Sequence, residues 1–65
     1  MQVIVNGERI EVAANDLRSL IDELDYDATH VAVAVNTHVV PRARWAATNL
    51  ETGDEIEIIS PRQGG

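Results

Sequence analysis

One stretch of this chain carries the periodicity of an amphipathic helix, and the segments on either side of it are punctuated at strand length. Leu17, Leu20, Ile21 and Leu24 recur at i, i+3, i+4 and i+7, so one helical face gathers them into an apolar stripe. Asn15 or Asp16 can cap the free N–H groups at its start, Arg18, Asp22 and Glu23 fall on the wet face, and the helix ends near Asp25. A chain with one helix has one layer to lay over a sheet, so the strands must supply the other half of the core.

The strands are legible from their punctuation. Met1 to Val5 is apolar and β-branched and runs into Asn6-Gly7, the dipeptide suited to the positive φ angles of a type I′ turn. Arg9-Ile10-Glu11-Val12 then alternates, which predicts a tight hairpin with one wet face. Beyond the helix, Val31 to Val35 places valines on one face and alanines on the other and reads as a strand central to the sheet. Asn36-Thr37 turns into a short edge piece, His38-Val39-Val40, stopped by Pro41. Residues 41–50, with Trp45 among alanines, are read as a single helical turn, and Thr52-Gly53-Asp54 reverses the chain. Glu55 to Ile59 closes the order with Ile56 and Ile58 on one face. The expectation is an α+β chain of the β-grasp (ubiquitin-like) kind, a mixed sheet of four to five strands covered by one helix. Residues 1–60 form that domain, and 61–65 a flexible C-terminal diglycine tail.

Composition narrows function mainly by exclusion. A chain of 65 residues has room for one small core, so a deep catalytic cleft is not expected. Eleven acids against five arginines give a net charge of −6, which disfavours nucleic acid and anionic lipid and suits either a basic partner surface or solubility alone. With no cysteine, side-chain thiol chemistry, disulfides and thiolate metal sites are absent, and with no lysine there is no ε-amine to react. His30 and His38 lack ligand spacing, so no metal is expected, and Asp22, Glu23, Asp25 and Asp27 read as a solvated helix end. No leader or membrane span is visible, and a cytoplasmic monomer that is not itself an enzyme is expected.

What remains for chemistry is the end of the chain. Gly64-Gly65 presents a carboxylate with no side chain beside it, narrow enough to enter a partner's channel. The residues after Ser60, fully extended, reach on the order of 15–18 Å. A free carboxylate is ionised and a poor electrophile, so it needs activation, for which adenylation by ATP is the usual route, and a glycyl adenylate can accept sulfur. The same two glycines also read as an inert end on a non-covalent β-grasp adaptor.

Val33-Ala34-Val35-Asn36, Val39-Val40-Pro41-Arg42, Trp45, Leu50, Gly53-Asp54, Ile56-Glu57-Ile58 and Gly64-Gly65 together resemble the ThiS family of thiamine-biosynthesis sulfur carriers, over essentially the whole chain. The resemblance implies that an E1-like adenylating enzyme activates Gly65 with Mg-ATP and that a sulfurtransferase or cysteine desulfurase supplies the sulfur. It further implies that thiazole synthase uses the thiocarboxylate, with no cofactor held by the chain itself. Ser60-Pro61-Arg62-Gln63 is more polar than the family's usual approach to the diglycine, and its proline is similar to the small subunit of molybdopterin synthase, which shares the thiocarboxylate chemistry. For partner contact, Arg62 and Gln63 are expected on the tail, and Val39, Val40, Arg42 and Trp45 beside it; Val39, Val40 and Trp45 read equally as completing the core, and Trp45 is expected to be partly buried.

Overall fold

The computed structural model describes residues 1–60. The expectations for 61–65, including Arg62, Gln63, Gly64 and Gly65, lie outside the described residues. Five strands form one sheet: β1 (Gln2–Val5), β2 (Glu8–Glu11), β3 (Ala32–Val35), β4 (His38–Val39) and β5 (Glu55–Ile59), in the order β2-β1-β5-β3-β4. The β1–β5 pair is parallel and the other three pairs are antiparallel, so the sheet is mixed, as a β-grasp arrangement requires. The strand at its centre is β5, not the valine–alanine strand, which is paired on both sides but lies one place outward. An alternation pattern reports how many faces of a strand are covered, whereas rank within the sheet depends on pairing between distant segments, which no local pattern encodes.

The helix α1 spans Leu17–Glu23. Asp16 caps it from extended backbone (φ −134°, ψ 168°), its carboxylate accepting from the Ser19 N–H at 2.8 Å. Leu24 follows as C-cap, and Asp25 at φ +66° takes the left-handed conformation that ends many helices. Glu23 turns back from the last turn and accepts from the N–H groups of Ala13 and Ala14, tying the helix end to the loop that precedes it. Leu17, Leu20 and Ile21 are fully buried against one face of the sheet, where Val3, Val33 and Ile56 meet them.

Two short 3-10 helices complete the chain, Ala28–His30 and Arg42–Ala47. The second is longer than the single turn expected, and it packs on α1 with Trp45 wholly inside the core. The helix start is stitched to the segment that follows, the Leu17 N–H donating to the Thr48 carbonyl and the Leu50 N–H to that of Asn15. Both hairpins turn through two residues at positive φ, Asn6 (51°) and Gly7 (85°) in the first, Asn36 (50°) and Thr37 (73°) in the second. Among the described residues no helix is long and apolar enough to cross a membrane.

Candidate functional site

The central strand β5 runs toward the chain's end, so its surroundings are the platform from which residues beyond Ser60 depart. Its side chains alternate strictly: Ile56 and Ile58 enter the core, while Glu55, Glu57 and Ile59 stand on the face opposite the helix. Register extends that outer face across the neighbouring strands. Ala32 lies opposite Ile59, Ala34 opposite Glu57, and Val39 opposite Ala34, and cross-strand partners share a face. Val39 (76% exposed) and Ile59 (60% exposed) are the two large apolar side chains left in solvent among the described residues. The two alanines between them form a shallow floor, so the pair rims a small apolar patch at the end of the sheet where β5 finishes, with the exposed Glu57 at its border.

The expected contact residues divide on this geometry. Val39 belongs to the patch. Val40 is half-buried and packs against the core, and Arg42 is exposed at the start of the second 3-10 helix. Trp45 corrects the expectation that it offers a docking surface, for only 1% of it is exposed. Its indole Nε1–H donates to the Val40 carbonyl at 2.8 Å, so the ring is at once core filler and strut beneath the strand that carries Val39. Ile59 was not singled out from sequence, yet the signal was present: with Ile56 and Ile58 inward, strand alternation puts Ile59 outward.

Elsewhere the described surface holds little chemistry. His30 is 75% exposed and pairs with Asp27, Nδ1 to Oδ2 at 2.8 Å. Hydrogen bonds from Thr29, then from His30, hold the exposed Asp27 carboxyl at about 2, below its ordinary 3.8. This is the local cap of a short 3-10 turn. Among the described residues no three acidic or histidine side chains gather as a metal site would require, and no buried side-chain polar atom lacks a partner.

Known proteins resemble this arrangement along its whole length. The ThiS family model matches residues 3–65. A sulfur carrier protein ThiS from Escherichia coli (strain K12) is 32% identical over 66 aligned positions covering 100% of both chains. A thiazole synthase from Paramagnetospirillum magneticum is 33% identical over 66 positions, which take in 100% of this chain and 20% of that protein. The crystal structure of thiamine biosynthesis protein ThiS from Geobacter metallireducens superposes with a TM-score of 0.84 at 29% identity, both chains covered in full.

Proposed function

This chain belongs to the ThiS family of sulfur carriers for thiamine biosynthesis, and from that premise we propose that its cargo rides as a thiocarboxylate on Gly65. The observation that carries the reading is the apolar patch formed by Val39 of β4 and by Ile59 of β5, the strand that precedes the diglycine segment in the chain. A body that docks through the patch brings the end of the chain to an active site that the partner supplies, so the chain is a cosubstrate rather than a catalyst.

The chemistry follows from what a carboxylate lacks. A Gly65 oxygen attacks the α-phosphorus of Mg-ATP held by an E1-like adenylating enzyme, the bond to the β-phosphate breaks, and pyrophosphate leaves. The terminal sulfur of a persulfide on a sulfurtransferase or cysteine desulfurase then attacks the acyl carbon and expels AMP. A second thiol of the donor attacks the donor's own sulfur in the resulting acyl persulfide. That step forms a disulfide on the donor and releases the thiocarboxylate. No thiol or amine of the carrier competes for the acyl adenylate, since the chain has neither cysteine nor lysine. Thiazole synthase is the consumer this reading favours, because a protein of that name contains a stretch similar to the whole of this chain. Arg62 and Gln63 are assigned to the walls of the partner's channel, and Arg42 to its acidic rim. The dependence on ATP suits a cytoplasmic setting.

Intact-protein mass spectrometry after incubation with the adenylating enzyme, Mg-ATP and a persulfide donor tests the proposal. A gain equal to the exchange of one oxygen for sulfur, localised to Gly65 and absent without ATP, is the expected result. Deleting Gly65 removes the gain while leaving the thermal unfolding curve unchanged, since no described contact is lost. An unmodified mass with every adenylating enzyme of the host moves the chain to the class of non-covalent adaptors.

A further inference from the structure

The edge of β5 that faces β1 is filled in an unusual way. The Ile4 N–H donates to the Asp54 carbonyl and the Asn6 N–H to that of Ile56, both at 2.9 Å, the regular rungs of a parallel ladder. The next residue of β5 on this edge is Ile58, but β1 has no residue left to meet it, because the chain turns at Asn6-Gly7 into β2. The side chain of Asn6 takes the missing place. The Ile58 N–H donates to Asn6 Oδ1 at 2.8 Å, and Asn6 Nδ2 donates to the Ile58 carbonyl at 3.2 Å. A carboxamide has the donor and acceptor of a peptide unit side by side, so it extends the ladder by one rung without a strand.

A second asparagine shows what is particular about the first. Asn36, at the matching position of the other hairpin, accepts from the Glu55 N–H at 3.0 Å and donates to Asp54 Oδ1 at 3.0 Å. It therefore secures the beginning of β5. Asn6 secures the β1-facing edge of that strand's end, two residues before the described chain stops at Ser60, while pairing of Ile59 with Ala32 holds the other edge. From Ile58 to Gly65 the chain has seven further residues, a span of at most about 25 Å when fully extended. Any angular freedom at Ile58 is multiplied over that reach.

We infer that Asn6 is a positioning residue for the acyl-transfer chemistry: its carboxamide fixes the direction in which the chain leaves the sheet, and so the fraction of docked carriers whose terminal carboxylate meets ATP. The inference rests on the thiocarboxylate reading above and adds a residue to it. Asn6 is far in sequence from the diglycine and outside the apolar patch, so it acts on aim rather than on docking. Its loss lowers kcat for adenylation and leaves KM for the carrier in place.

The test uses the full chain with Asn6→Gly, which accepts the positive φ of 51° and keeps the turn, and Asn6→Asp, which keeps the shape but turns the donor into an acceptor facing the Ile58 carbonyl. Amide exchange by NMR reads the clamp, and ATP-dependent pyrophosphate release by the adenylating enzyme reads the chemistry. In both variants the Ile58 amide is expected to exchange faster while the Val12 and Val40 amides, which donate to the Met1 and Val33 carbonyls, keep their protection. The kcat falls on the order of tenfold with KM unchanged within about twofold. Three results overturn the inference: unchanged kinetics despite a deprotected Ile58, a rise in KM at constant kcat, or loss of protection throughout the sheet in both variants, which makes Asn6 a folding residue. Absence of pyrophosphate release from the unsubstituted carrier instead defeats the thiocarboxylate reading, and leaves the exchange measurement standing.

Discussion

Val39 and Val40 are neighbours in sequence and face different environments. Val39 stands in solvent opposite Ala34, while Val40 packs on the core and offers its carbonyl to the Trp45 indole. A charge at the first position and a charge at the second should therefore fail differently. Val39→Asp is expected to raise KM for the adenylating enzyme about tenfold, the size of a moderate interface hot spot, and to change unfolding free energy by less than about 0.5 kcal/mol. Val40→Asp places a carboxylate against apolar neighbours, and its defect appears in the denaturation midpoint instead. Equal effects of the two in the kinetic assay, with stability unchanged in both, would remove the patch from the docking account. The hairpin turns were legible because each depends on residue type within a few positions. Burial of Trp45 was legible from its size, but its full depth was not, since that depends on a helix that lies more than twenty positions earlier in the chain. Asn6 was read only as a turn residue because its side-chain partner, Ile58, is 52 positions away.

The two hairpins pose the same problem at the level of the element and solve it with different residues. The first uses Asn6-Gly7, and glycine occupies the left-handed region without steric cost. The second uses Asn36-Thr37, which places a β-branched residue at φ +73°. Such a residue is strained there by roughly 1–3 kcal/mol. Thr37→Gly removes the strain at some cost in unfolded-chain entropy, and urea denaturation should show a net gain of about 1 kcal/mol. A loss of stability would mean that the Thr37 side chain makes a compensating contribution in solution. Strand boundaries, the helix and its Asp16 cap followed closely from sequence because caps and periodicity are local. The 3-10 helix of Arg42–Ala47 was read too short, since alanines and arginines around one tryptophan make no repeating stripe.

For the whole molecule, the net charge of −6 acts at longer range than any single contact. Such a field accelerates encounter with a surface of opposite sign, and added salt screens it over about 10 Å at 0.1 M. The association rate with the adenylating enzyme, measured by stopped-flow fluorescence, is expected to fall several-fold between low and physiological ionic strength, with the dissociation rate nearly constant. A salt-independent association rate would assign the acidic surface to solubility alone. The sheet order was the least legible feature of the molecule, because it joins the first strand of the chain to the last.

That junction bears on how faulty copies are sorted during synthesis. The strand between β1 and β3 is made after the other four, so a nascent chain ended before Glu55 lacks the middle of its sheet. The N-terminal hairpin and the β3–β4 hairpin are then left without their common neighbour, and such a fragment exposes unpaired strand edges to chaperones and proteases. A copy that has folded has therefore been translated through β5. A folded sheet is thereby a report that synthesis has passed Glu55–Ile59.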